Sequence, residues 1–231
     1  MLTNLIYEST LCPLTTREKI LKEAIHLFNK EGYTAISLNE LASSLEMSRG
    51  NLTYHFQDKN ALLQEISSEM WSKIEKSHQK SRKLPSFQNL HEEVQRYYKF
   101  QKEYAFIFLD RHLLNHPVLK RQFREMTEQT IKDNEAAIAF SIELGNMKKE
   151  QIKGTYKNVA FITWMLTFFW LPQQLIRGEK TSEDGEKMIW SILLPHMTEK
   201  GIHSFEKFFG KDYMSELGEP FTVDLQELIK F

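Results

Sequence analysis

The residues best equipped to do chemistry sit in one short stretch. Arg49, Asn51, Thr53, Tyr54, His55 and Lys59 lie close together, with Gly50 among them. Arginine and asparagine carry the donor and acceptor geometry that reads base edges in a DNA major groove. His55 and Lys59 follow where they could meet backbone phosphate, which positions a protein without specifying sequence. Catalytic chemistry has no comparable cluster. No Ser/His/Asp set, glycine-rich phosphate loop or Cys/His arrangement stands out, so an enzyme is not expected. Cys12 is the single cysteine, which excludes an internal disulfide and a cysteine-based zinc site in one chain. His112 and His116 have metal-compatible spacing, but no carboxylate at a matching offset completes a ligand set. No metal and no cofactor are expected.

Such residues need a scaffold, and the composition favours helices. The 231 residues include only 9 Gly and 6 Pro, too few for a turn-rich β fold. Hydrophobic residues at 41% with 16 Phe, 8 Tyr and 4 Trp can fill a core. Thr15 with Glu18, and Ser37 with Glu40, form capping boxes, each ahead of an amphipathic pattern. Ile20, Ala24, Leu27 and Phe28 mark one face of a first helix, which Gly32 ends. Leu38, Leu41, Ala42 and Leu45 mark a second. Ser48 opens a third reaching about Phe56, and Asp58 caps a fourth running to about His78.

The second and third helices are short, and Leu45-Glu46-Met47 is too brief a connection for antiparallel packing. Two short helices crossing steeply on a third make a helix-turn-helix. Projected at 100° per residue, Leu52 and Phe56 face inward with Met47. Gly50 and Tyr54 face outward, flanked by Asn51 and Thr53, with Arg49 at the N-terminal end. Backbone N–H groups at that end suit an anion. Glycine in a helix costs about 1 kcal/mol against alanine, which makes sense where another surface comes close. The pattern by itself also fits a pair of core helices with Tyr54 packed beneath a neighbour. Charge does not decide, because the first sixty residues hold six basic and seven acidic side chains, and the whole chain carries -1.

The stretch from Thr16 to Leu62, and above all Ser48, Gly50, Leu52, Tyr54, Phe56 and Lys59 at their spacing, strongly resembles the N-terminal domain of the TetR/AcrR family of bacterial transcriptional regulators. The resemblance covers about Thr15 to Trp71. It implies an all-α fold: a three-helix DNA-binding domain over residues 1–60, a linking helix over about 58–80, and a helical ligand-binding and dimerisation domain over 81–231. It also implies that Ser37 lies near phosphate, that Arg49, Gly50, Asn51 and Thr53 face bases or the groove edge, and that Tyr54, His55 and Lys59 contact phosphate. The family usually has glycine where this chain has Glu46. Either the turn takes another backbone conformation or it carries strain.

Beyond Trp71 the resemblance fades. The expected helices are Phe87–Lys102, Ala105–Asn115, Pro117–Leu144, Glu150–Arg177 and Glu183–Phe209. The run Asn158–Leu171 is apolar nearly all round and must be buried on several faces. That run and the stripe at Trp190 are the preferred homodimer faces, the alternative being that both belong to a monomer core. Phe106, Phe108, His112, Phe140 and Trp164 are the candidate pocket residues, and their aromatic character suggests an apolar or aromatic effector. Met1–Tyr7 lacks a basic segment ahead of a long apolar one, and Val159–Leu171 is short of a membrane span, so a cytoplasmic chain with no membrane partner is expected. The leading expectation is a repressor that binds a palindromic operator as a homodimer and is released by a small molecule. The other is a helical carrier or enzyme without sequence-specific DNA binding.

Overall fold

The computed structural model of the chain describes residues 14–81, 85–177, 185–215 and 217. Among these the regular structure is all helical. The chain divides into two compact units between Ile66 and Ser67.

The first unit contains α1 (Thr16–Glu31), α2 (Leu38–Ser44), α3 (Arg49–His55) and the start of α4 (Lys59–Ser81). Both capping boxes form as their spacing predicts. Thr15 and Glu18 exchange side-chain and backbone hydrogen bonds at the start of α1, and Ser37 and Glu40 do the same for α2. The Asp58 carboxylate accepts the Ala61 N–H at 2.8 Å as α4 begins. Ile20, Ala24, Phe28, Leu41, Leu52, Leu62, Leu63 and Ile66 are buried and form the core. Arg17 pairs with Glu65 at 2.6 Å and lies 4.9 Å above the Phe56 ring, tying α1 to α4.

The second unit contains the rest of α4 and then α5 (Phe87–Glu103), α6 (Ala105–Leu109), α7 (Arg111–Leu114), α8 (Pro117–Glu143), α9 (Thr155–Phe168), α10 (Trp170–Arg177), α11 (Gly185–Leu193), α12 (Glu199–Phe209) and α13 (Lys211–Ser215). Three expected helices are each broken in two. Asp110 ends α6, and its carboxylate accepts the His112 N–H at 2.8 Å to start α7. Pro195 and the Thr198 cap separate α11 from α12. The expected Glu150–Arg177 helix starts only at Thr155, after Gly154 in a left-handed conformation, and bends by 58° at Phe169. Residues 183 and 184, expected to open another helix, lie outside the described residues.

The bend at Phe169 combines a local cause with a distant one. Proline has no N–H, so Pro172 cannot donate to the carbonyl of Phe168 in a continuous helix. The buried Gln101 side chain supplies that donor from α5. Its amide nitrogen reaches the Phe168 carbonyl at 2.8 Å and the Thr167 carbonyl at 3.0 Å.

The Trp190 stripe is core and not an outward face. Trp190 is 1% exposed, with the rings of Phe87, Phe205 and Phe209 centred 5.6, 5.0 and 5.4 Å away. Its indole N–H donates to the buried Glu186 carboxylate at 2.9 Å, which Gln95 and His91 also contact. The α9 helix is two-sided. Val159, Ala160, Thr163 and Phe168 are buried, while Phe161, Ile162 and Met165 are exposed, as are Phe169, Leu175 and Ile176 beyond them.

Replacing Gln101 by Leu leaves the buried Phe168 carbonyl and the partly buried Thr167 carbonyl without this donor. Urea unfolding should give a loss of about 1–3 kcal/mol. Unchanged stability would mean that the bend does not depend on this side chain.

Candidate nucleic-acid interface

The seven residues of α3 make less than a self-sustaining helix, since isolated helices under about twelve residues are marginal in water. Tertiary burial holds it. Leu52 is 0% and Phe56 3% exposed, while Met47 is half-buried. The Ser48 hydroxyl accepts the Asn51 N–H at 3.2 Å and fixes the start of the helix.

With Leu52 and Phe56 turned inward, the opposite side is open. Arg49, Gly50 and Asn51 are exposed, Thr53 and His55 are partly so, and Tyr54 is 85% exposed. Tyr54 is therefore not packed beneath a neighbouring helix. Its ring stands edge-on to His55 with centroids 5.4 Å apart. The Thr53 hydroxyl donates back to the carbonyls of Arg49 and Gly50 at 3.0 and 3.1 Å. Ser37 is exposed at the start of α2, where its hydroxyl accepts the Glu40 N–H.

Gly50 needs no unusual backbone, because it lies within regular helix. A Cβ added there would meet only the Ser48 hydroxyl, at 3.9 Å. Nothing within the described chain requires a glycine at this exposed position. Without a Cβ, this position leaves room for a close approach from outside.

The turn resolves the two alternatives for Glu46 in favour of strain. Glu46 has φ +52° and is the one non-glycine residue with positive φ among those described. Its N–H donates to the Ser43 carbonyl at 3.1 Å, and the Met47 N–H to the Ala42 carbonyl at 3.0 Å. That pair of bonds is a Schellman motif, whose first residue beyond the cap must be left-handed. The backbone asks for glycine and receives glutamate.

Lys59 is half-buried at the start of α4. Its ammonium donates to the Tyr33 carbonyl and lies 4.2 Å from the Tyr33 ring centre and 5.5 Å from that of Phe28. Burial lowers its pKa, against the nearby Glu40 charge, which raises it. In this arrangement the side chain fastens the start of α4 to the turn after α1, with one of its three N–H donors engaged. Asn39 was not anticipated. It is exposed on α2, and its side-chain oxygen accepts from the Arg49 guanidinium at 2.8 Å. No spacing rule links two residues on different short helices, so this pair was hidden in the sequence.

The candidate pocket residues fare less well. A cavity of about 790 Å³ lies in the second unit, walled by α5, α8 and α11 and including Phe87, Leu90, Asn134, Ile138, Trp190 and Leu193. None of the five expected residues lines it. Phe108 is buried in an aromatic cluster with Tyr97, Phe123 and Phe168, and Phe106 is also buried. His112 is exposed and Phe140 half-buried. Trp164 lines a smaller neighbouring space of about 50 Å³. His116 serves as the cap of α8, its ring nitrogen accepting the Val118 N–H.

Comparison with known proteins supplies independent findings. The profile of bacterial regulatory proteins of the tetR family matches residues 20–66, and a second profile, bacterial transcriptional repressor, matches 69–205. The probable HTH-type transcriptional regulator YttP of Bacillus subtilis is 30% identical over 64 residues, which are 28% of this chain and 31% of YttP. The chain spans about a third or less of the length of the curated relatives it matches. A TetR-family transcriptional regulator from Marinobacter aquaeolei has a TM-score of 0.74 at 20% identity, covering 90% of this chain and 99% of that one. The SmeT–triclosan complex has a TM-score of 0.55 at 16% identity, covering 79% of this chain and 92% of that one. SmeT is the repressor of a multidrug efflux pump of Stenotrophomonas maltophilia.

Two substitutions separate folding from recognition. Glu46→Gly should stabilise the protein by about 1 kcal/mol in urea unfolding, by removing left-handed strain, and should not weaken DNA binding. Gly50→Ala should also stabilise, by about 1 kcal/mol, yet lower DNA affinity because its methyl occupies the approach. Undiminished affinity in Gly50→Ala would remove the argument for close contact there.

Proposed function

The chain belongs to the TetR family of bacterial transcriptional regulators, and on that premise we propose that it is a homodimeric repressor, released from a palindromic operator by a small molecule. DNA-binding through the helix-turn-helix is the family's activity. The single observation carrying the finer reading is the outward strip of α3, polar and bearing an exposed tyrosine over a fully buried apolar back. In this reading Arg49, Gly50, Asn51 and Thr53 meet the major groove, and Ser37, Tyr54 and His55 meet phosphate. Lys59 acts from behind, holding the start of α4.

Three features support the remaining parts. The exposed apolar side chains of α9 and α10 are the kind of contiguous patch that a soluble protein covers, and a second copy is the proposed cover. Two copies then present two α3 helices to half-sites about one helical turn apart. The large cavity of the second unit is within the size range of small-molecule sites, and SmeT, of similar fold, has been solved with triclosan. An effector there would favour one arrangement of α4, whose residues belong to both units. Its preference between the two arrangements is the only energy available, typically about 1–3 kcal/mol. The description of the matching profile as a transcriptional repressor supports repression over activation.

Two measurements test this. On a palindrome recovered by selection from random duplex DNA, Tyr54→Ala should bind at least about tenfold more weakly than wild type. The salt slope should stay nearly unchanged, since a neutral side chain releases no counterion. Equal binding across salt concentrations would overturn the reading surface. Met165→Lys places a charge on the exposed face of α9. By analytical ultracentrifugation it should shift dimer to monomer without loss of helicity, whereas an unaltered dimer would move the interface elsewhere.

A further inference from the structure

A base-reading arginine is useful only if its guanidinium arrives in one orientation. Arg49 is the first residue of α3 and is exposed, so nothing from the core restrains it. A free arginine side chain carries about 2 kcal/mol of rotamer entropy. One contact limits that freedom. The side-chain oxygen of Asn39, in the first turn of α2, accepts from a terminal guanidinium nitrogen of Arg49 at 2.8 Å.

We propose that Asn39 is a positioning residue for DNA recognition, holding the Arg49 guanidinium in the orientation that reads a base. This rests on the assignment of Arg49 to the major groove made above. A hydrogen bond between two exposed neutral-to-charged groups adds little to folding, because water competes for both partners. Its effect is on orientation. Guanidinium has five N–H donors in a fixed plane, and Asn39 engages one. Those remaining include the pairs needed for a bidentate bond to guanine O6 and N7.

The residue type fits that role. Asparagine offers an acceptor without adding negative charge. The surrounding segment already holds more acidic than basic side chains, with Glu40 within α2 and Glu46 just after it. An aspartate at 39 would hold the guanidinium more tightly but would add repulsion toward phosphate. Asn39 also lies two positions beyond Ser37, at the end of α2 that the capping box closes and that buried Leu38 and Leu41 anchor in the core. The acceptor therefore sits on a rigid support and not on a loop.

The test is base preference, read by selecting bound duplexes from a randomised pool and sequencing them. Wild type, Asn39→Ala, Asn39→Asp, Arg49→Ala and the double variant Asn39→Ala/Arg49→Ala are compared as full chains, with urea unfolding as the control for folding. Arg49→Ala should erase preference at one base pair per half-site. Asn39→Ala should weaken preference at that same pair by roughly threefold to tenfold, a part of what a good bidentate contact supplies. Other positions, the salt slope and stability should stay unchanged. Asn39→Asp should keep the preference while lowering overall affinity. In the Arg49→Ala background, Asn39→Ala should change nothing further. Loss at a different base pair, a uniform loss across all positions, or additive effects in the double variant would each overturn the proposal. Should Arg49→Ala leave every preference intact, the groove assignment of Arg49 fails first, and that outcome is distinguishable from failure of the Asn39 contact alone.

Discussion

Burial of Leu52 and Phe56 is the constraint on which the site depends. The α3 helix is too short to persist by its own backbone hydrogen bonds. It exists because its inner side chains are removed from water in the core of the first unit, where α3 packs on α2. Stability obtained entirely from one side leaves the other side chemically unconstrained. That is why a glycine, an arginine, an asparagine and a bare tyrosine can occupy successive outward positions. The surrounding polar contacts serve the same end: the Ser48 cap fixes the helix start, and Arg17 and Lys59 secure the helices around it.

Electrostatics places recognition at short range. The chain has no net positive field to draw in DNA, and two of its N-terminal cations, Arg17 and Lys59, are engaged within the domain. Discrimination must then come from oriented hydrogen bonds and from close approach at Gly50. The strain at Glu46 belongs to this picture as well. A left-handed glutamate at the turn costs stability, and the Schellman bonds around it hold the conformation that sets α3 against α2.

The first unit was largely legible in the sequence because its signals are local. A capping box names both of its partners within four residues, and Ser37 with Glu40 forms as written. The inward and outward sides of α3 follow from helical periodicity alone. The second unit was less legible because its decisive features are not local. The break at Phe169 needs Gln101 from a distant helix to complete it. Phe106 and Phe108 have the composition of pocket and of core alike, and only packing assigns them to core. The Trp190 stripe was ambiguous for the same reason, and it too is interior. The cavity wall joins Phe87 and Trp190 with polar positions on α8, such as Thr130 and Asn134, a combination that no single helical stripe marks.

The central claim, that the outer side of α3 enters the major groove of DNA, is tested most directly by dimethyl sulfate interference on the selected operator. Methylation of guanine N7 lies in the major groove, at the edge that arginine reads. The expected result is that such methylation blocks binding at guanines in two clusters about one helical turn apart, one for each copy of α3. Binding indifferent to guanine N7 methylation, and sensitive only to adenine N3 methylation in the minor groove, would contradict it.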